Sequence, residues 1–397
     1  MTEKDVIGEF SLTREQLLDE AGRVEAALSA GLRGEPSPFL FLPSFLGLPG
    51  GREEGDFFAL DFGGSNLRLA HITLRRGFIT QNAARKWPLK ELSAAAGHEV
   101  DALFFDIARK ISDFAGQQGG FLGHTFSHST VVFPGAHDAR AHNWTKEISF
   151  AGAQNINVNG LLRQKLLFIG RGDIVPAVIL NDATAVLLAS AYQSGKKNIV
   201  GSVCGTGHNS CYYEPDRKMA INLETGNFSP ACRNRFDQEL DLSSSRPGGQ
   251  LMEKMTAGDY LAKLASLAAR ALGVGVRLER AVELSAILDG APNALAGVVR
   301  AIVKRAAALT AAEYSGISLY LAHKGEALEE IFIDGAIYNE MPLFRQELNA
   351  ALAKLGARPP ETLSGRNSSL FGAAVACALA SGSDLPATSG ADEGPRL

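Results

Sequence analysis

The sequence is short of the residues on which the commonest functional motifs are built. It carries four cysteines in 397 residues, Cys204, Cys211, Cys232 and Cys377, with no CxxC pair and no close cluster. That excludes a disulfide framework and a cysteine zinc site, and leaves reduced core thiols. Positive charge is not in surplus either, because 39 Lys and Arg against 43 Asp and Glu give a net charge of −4. A phosphate backbone or an anionic bilayer needs a basic face, so neither nucleic-acid nor membrane binding is expected as the main task. The amino-terminal MTEKDVIGEF lacks an apolar h-region, and the nearby apolar stretch Phe39 to Leu48 is too short for a span and is interrupted by Pro43. A cytoplasmic protein is expected. GxxxxGK[ST], GxGxxG and HExxH are all absent, which removes the main support for P-loop nucleotide hydrolysis, dinucleotide binding and zinc proteolysis.

What the chain has is ordinary apolar content, 46%, and 42 glycines. The length suggests two or three domains. The glycines follow no three-residue period, so collagen is excluded and their positions become the question. Ser11 followed by LTREQLLDEAGRVEAALSAGL reads as a capped amphipathic helix stopped by Gly31 and Gly34. Asp56 to Leu74 reads as a β-hairpin with Gly63 and Gly64 at its corner. A helical pattern covers Val100 to Gly116, and STVVFP is strand-like up to Pro134. The apolar run DIVPAVIL leads through Asn181 and Asp182 into a small-residue helix, and Asn198 to Glu214 is again strand, glycine turn, strand. Helices are expected at Gln250 to Leu272, Val298 to Ala322 and up to Ala380, with a strand ending at Asp334 and Gly335. The tail after Ala380 is small, polar and aperiodic, and is expected to be disordered. The two glycine hairpins read either as an internal duplication or as chance similarity, since hairpins commonly turn on glycine.

Glycine hairpins offer successive backbone N–H groups to an anion, and a Cβ at the turn would block close approach of a phosphate. Asp61 ends the first hairpin strand, where a carboxylate could hold Mg²⁺ through water. Asp182 stands before a helix, either as its N-cap or as a proton acceptor above a substrate hydroxyl. His124 and His128, four residues apart, read as ordinary polar side chains rather than zinc ligands. His137 and His142 read as solvated loop residues, and Trp144 as core packing.

Seven segments in order resemble the hexokinase family of sugar kinases, within the actin-like, RNase H-like ATPase superfamily. LPSFLGLPGGREEGDFFALDFGGSNLRLA is similar to its phosphate-1 segment, and FPGAHDARAHNWTKEISFAG to its sugar segment. ILNDATAVLLASAY resembles the catalytic segment and GSVCGTGHNSCYYE the phosphate-2 segment. INLETGNF and RPGGQLMEKMTAGDYL resemble the two glutamate-bearing sugar segments, and IFIDGAIYNEMPLF the adenosine segment. The resemblance implies an α/β, two-lobed actin-like ATPase fold, each lobe a mixed sheet flanked by helices, with a cleft between. It implies a small lobe over 56–180 joined by a helix over about 371–380, a large lobe over 11–55 and 181–370, and a disordered tail over 381–397.

The implied activity is transfer of a phosphoryl group from Mg-ATP to the 6-hydroxyl of a hexose, glucose first, by a monomer or homodimer. Thr145, Lys146, Asn181, Asp182, Asn209, Glu224 and Glu253 would line the sugar pocket, with Asp182 as general base and Lys146 offsetting charge. Asp61 and Asp182 would orient Mg²⁺ through water. Gly63, Gly64, Ser65, Asn66, Arg68, Gly205, Thr206 and Gly207 would surround the phosphates, and Asp334 and Gly335 would begin the nucleoside end. A pocket of amides and carboxylates suits a ring of hydroxyls, since charge-assisted hydrogen bonds are about twice as strong as neutral ones.

Val132, Glu147, His208 and Thr225 depart from the family pattern, and these departures bear on the choice of sugar. SGRNSSLFGAAVA, Ser364 to Ala376, departs from the glycine-rich turn at the nucleoside end and keeps Gly372. Two other functions compete with the kinase: a catalytically silent sugar-binding regulator of the same fold, and a chaperone-like ATPase whose Asn181 and Asp182 serve nucleotide.

Overall fold

Hydrophobic runs of period two and helical stripes recur throughout the chain, and in the computed structural model they form sheets flanked by helices, the expected α/β class. The structure describes residues 1–128, 130–141, 150–290, 293–356 and 361–382. Contacts divide the chain into two units. The first is Met1–Phe41, Asn198–Cys211 and Leu223–Arg366; the second is Leu42–Lys197, Tyr212–Asn222 and Asn367–Leu397.

In the second unit, strands Phe78–Pro88, Asn66–Arg75, Gly55–Phe62, Gly120–Phe126 and Ile174–Leu180 form one sheet in that order. The first three make an antiparallel meander, and the last two run parallel to Gly55–Phe62. Register places Asp61 beside Thr125 and Thr125 beside Leu180, so these three residues align across the carboxyl ends of neighbouring parallel strands. Helix Ser368–Gly382 packs on this sheet and on helix Asp182–Ser194. It lies close against the second helix at Gly372, where a Cβ would overlap the Ala185 carbonyl. The unit also holds a three-stranded sheet, Thr130–Val132, Ala139–Ala141 and Ile156–Asn157, and the antiparallel pair Leu42–Pro43 with Met219–Asn222, beside which lie residues 212–214 of strand His208–Glu214.

In the first unit, strands Ile199–Cys204, Glu330–Asp334 and Glu361–Ser364 run parallel, and His208–Cys211 continues beside Ile199–Cys204. The 28-residue helix Ala296–His323 packs between helices Arg14–Leu32 and Phe344–Leu355. It buries Arg305, whose guanidinium grips Asp237 through two 2.7 Å hydrogen bonds.

Two helix ends differ from their sequence reading. The helix expected to be capped at Ser11 begins at Arg14 with Thr13 as N-cap, in a reciprocal box with Gln16. Ser11 instead donates to the Ile7 carbonyl at the end of a first helix, Glu3–Glu9. The continuous helix expected over Gln250 to Leu272 is two, Leu251–Thr256 and Gly258–Ala271. The break falls where the Gly258 N–H leaves its helix and donates to the Gly205 carbonyl at 2.9 Å. The tail expected to be disordered lies, apart from its first residues, outside the described residues.

Candidate active site

Each unit gathers one set of the expected residues. In the second unit, Asp61 and Asn181 with Asp182 stand at the carboxyl end of the sheet, two strands apart, the end of parallel strands where α/β proteins bind ligands. Asn181 is the N-cap of helix Asp182–Ser194, accepting from the Ala183 N–H at 2.9 Å. The capping role is therefore held by the neighbour, and Asp182 is half-buried in the first turn, with one oxygen also within 2.9 Å of the Ala183 N–H.

Asp61 is buried, and its Oδ2 receives the Arg68 Nε–H at 2.6 Å across the hairpin. Arg68 also donates to Asn367 Oδ1 at 3.5 Å and Ser369 Oγ at 3.1 Å, at the start of helix Ser368–Gly382. The first hairpin is thereby tied to the terminal helix. Gly63, Gly64 and Ser65 form its turn, closed by the Gly63 N–H donating to the Asn66 carbonyl at 3.0 Å. Thr145 and Lys146, with His142 and Trp144, lie outside the described residues.

In the first unit, the turn Gly205-Thr206-Gly207 joins strands Ile199–Cys204 and His208–Glu214 and leaves Thr206 exposed. Two expected sugar residues are held just beyond it, and a third, Glu224, adjoins them in the chain. The His208 N–H donates to Glu253 Oε2 at 3.1 Å, and Asn209 Oδ1 accepts from the Thr225 N–H at 3.3 Å. Thr225 follows Glu224, which sits in the left-handed region at φ 54°, ψ 54°. A non-glycine residue held there stores strain, and such strain concentrates at functional sites. Thr225 itself is fully buried, and its Oγ1 has no hydrogen-bond partner among the described residues. A buried orphan hydroxyl beside an amide and a carboxylate suits a polar ligand that would complete it. Gly207 has a steric reason, since a Cβ there would stand 2.9 Å from Glu253 Oε2. Parallel register sets Asp334 beside Val203, so Asp334 and Gly335 adjoin the glycine turn.

Behind this turn lies a polar cluster that sequence reasoning missed. His208 Nε2 is 2.5 Å from Glu313 Oε2, and Glu313 Oε1 accepts from Ser210 Oγ at 2.5 Å. Tyr314 donates to Ser202 Oγ at 2.7 Å and lies 3.5 Å from Cys204 Sγ. All six side chains are buried. Burial alone would push the His208 imidazole down, but the Glu313 carboxylate, with help from Cys204, outweighs it and holds the pKa well above the usual histidine value. Nothing local marks Glu313, because it lies 105 residues from its partner.

No group of three or more His, Cys, Asp or Glu side chains among the described residues could hold a metal directly. Asp61 and Asp182 offer hard carboxylate oxygens, which suits an ion that keeps most of its waters and takes substrate phosphates as further ligands.

Two family models, both described as Hexokinase, match residues 3–192 and residues 199–273 with 274–379. Hexokinase-3 of Homo sapiens is 28% identical over 95% of this chain, which spans 47% of that protein's length. Hexokinase-1 of Oryza sativa subsp. japonica is 28% identical over 84% of this chain and 80% of its own length. The structure of a Schistosoma mansoni hexokinase complexed with glucose superposes with a TM-score of 0.78 at 26% identity, covering 94% of this chain and 97% of that one. The chain thus spans about half or less of several curated relatives it matches.

Proposed function

The chain belongs to the hexokinase family, and from that premise we propose that it transfers the γ-phosphoryl group of Mg-ATP to the 6-hydroxyl of a hexose, glucose first. The product is a hexose 6-phosphate of the kind consumed by cytoplasmic glycolysis. The observation that carries the sugar reading is that Glu253 is held on the His208 N–H and Asn209 on the N–H of Thr225, the residue after Glu224, with the Thr225 hydroxyl buried and unpartnered among the described residues. That cluster presents acceptors suited to sugar hydroxyls. A pocket built to pair each hydroxyl rejects an analogue lacking one by about 10⁴-fold, because its buried acceptors are left bare. The glucose bound in the schistosome structure supports the choice of glucose.

Asp182 is assigned as general base, with Asn181 fixing its backbone as the helix cap. Its carboxylate takes the proton of the attacking primary hydroxyl. Phosphoryl transfer asks little covalent work of a protein, so positioning and charge neutralisation dominate. The turns at Gly63-Gly64-Ser65-Asn66 and Gly205-Thr206-Gly207 offer backbone donors to the phosphates. Asp61 and Asp182 would hold Mg²⁺ through its waters, and the ion supplies charge neutralisation on the triphosphate. Arg68, held by Asp61, Asn367 and Ser369, fixes the first turn. Thr145 and Lys146 complete the sugar contacts in this reading, and Asp334 and Gly335 open the nucleoside end.

Steady-state ADP release with a panel of hexoses and their deoxy analogues tests the proposal. Turnover that appears only with hexose, and collapses for analogues lacking a recognised hydroxyl, is expected. Hexose binding without turnover would instead favour a silent sugar-binding regulator, and ATP hydrolysis indifferent to hexose would favour a chaperone-like ATPase.

A further inference from the structure

The first unit holds a cavity of about 500 Å³, partly open to solvent, where the end of helix Glu3–Glu9, the start of Arg14–Leu32, and helices Ala296–His323 and Phe344–Leu355 meet. None of the residues assigned to sugar or nucleotide lines it. The space exists because both long helices turn alanines toward it: Ala301 and Ala308, two turns apart on one face, and Ala350 with Ala351 opposite. Ile7, Phe10 and Leu17 supply the rest of an apolar floor.

The polar groups around this floor are almost all cationic. Arg14, Arg300, Lys304, Arg305 and Lys354 line the cavity against a single carboxylate, Glu347. Two of those charges are already matched, Arg305 by Asp237 and Lys304 by Glu347 at 3.3 Å. Arg14 spends its Nε–H on the Lys354 carbonyl and forms no ion pair among the described residues, with the exposed Glu15 carboxylate as its nearest opposing charge in sequence. Arg300 and Lys354 have exposed side chains with no ion pair among the described residues. A second observation concerns Arg305, whose guanidinium lies over the Phe10 ring: it is 1% exposed, yet its Nε is buried without a hydrogen-bond partner among the described residues. A buried guanidinium donor with no acceptor is costly, so the polar demand of this site is not met by the protein alone.

An apolar floor of this volume with a few convergent polar groups has the make-up of a small-molecule site. We propose that the cavity is a binding site for an amphipathic anion, a carboxylate or phosphate ester on an apolar body. The body would fill the alanine-lined floor, and the anionic head would meet Arg14, Arg300 and Lys354. This site lies apart from the proposed kinase residues, and its test does not depend on turnover.

Isothermal titration calorimetry of the full chain with decanoate, 1-decanol and inorganic phosphate decides the matter. Decanoate is expected to bind saturably at one site, with the neutral alcohol weaker by about tenfold or more because it lacks the charge-assisted contacts. Arg300→Glu with Lys354→Glu changes only exposed side chains; it should leave the melting temperature unchanged and weaken decanoate by about tenfold or more. Ala301→Leu with Ala308→Leu, folded by circular dichroism, should abolish binding by filling the floor. The proposal is overturned if decanoate does not bind at millimolar concentration, if the alcohol binds as well, if phosphate alone binds as tightly as decanoate, or if the charge-reversed chain binds decanoate like the wild type.

Discussion

His208 and Glu313, from a strand and from the longest helix of the same unit, face one another at 2.5 Å with both side chains buried. The pair ties the chain just after the Gly205-Thr206-Gly207 turn to the core, while the His208 N–H holds Glu253. Removing one member of a buried charge pair leaves the other uncompensated, at a cost of about 3–5 kcal/mol. His208→Ala should therefore lower unfolding free energy by that order in urea titrations and raise KM for hexose more than KM for ATP. A loss within about 0.5 kcal/mol, the range of ordinary surface changes, would show that the pair does not hold this turn.

Stability should depend on pH through His124. It is fully buried, and its pKa is pushed down to about 4, by burial first and against the opposing hydrogen bond to Asn159. The Asn159 amide donates to the His137 carbonyl, so its oxygen faces His124 and the imidazole donates from Nδ1 at 3.0 Å. Its folded pKa lies below the unfolded value, so the neutral ring's contribution is intact above pH 6.5. It is lost as pH falls from 6.5 towards about 4, where the unfolded chain binds a proton that the folded one does not. The loss is on the order of 3 kcal/mol at about 1.4 kcal/mol per pH unit, and His124→Gln should flatten that acid limb. His208 has the opposite sign. Its raised pKa makes its contribution complete below pH 6.5 and lost as pH rises through the folded value.

Arg68 joins buried Asp61 to Asn367 and Ser369 and is about one-third exposed, which moderates its electrostatic weight. Arg68→Ala should cost about 1–3 kcal/mol, the cost of leaving a buried acceptor short of its donor. In kinetics it should raise KM for ATP with a smaller effect on KM for hexose. Equal shifts in both constants would place Arg68 outside the phosphate side of the site.

Gly372 lets helix Ser368–Gly382 rest on the Ala185 carbonyl of helix Asp182–Ser194. Gly372→Ala puts a methyl into backbone, where no rotamer can relieve it, and should destabilise by about 1–3 kcal/mol as overpacking does. A neutral result in thermal melts would mean that the two helices can separate freely.

The sequence made much of this arrangement legible, and what it concealed was non-local. The glycine corner at Gly63 and Gly64, the helix over Val100–Ala115 and the strand before Asn181 carry their patterns in adjacent residues. The box of Thr13 with Gln16 was also written locally, but Ser11 stood nearer as a capping residue. By contrast, strand Phe78–Pro88 is almost wholly exposed at a sheet edge and shows no apolar alternation. The break at Ala257 depends on the distant Gly205 carbonyl. His208 stood out only as a departure from a family pattern, because Glu313 reaches it from a distant helix through tertiary packing. The contact boundary within strand His208–Glu214 likewise has no sequence mark.

The central claim is that Asp182 takes the proton of a hexose hydroxyl as the phosphoryl group transfers. Its most direct test is hexose-dependent ADP formation by the wild type and by Asp182→Asn, with hexose affinity measured on both by calorimetry. A positioned general base contributes about 10²–10⁴-fold, so kcat of the variant should fall by that factor while its dissociation constant for hexose stays within about tenfold. An Asp182→Asn enzyme that turns over hexose at the wild-type rate would contradict the account.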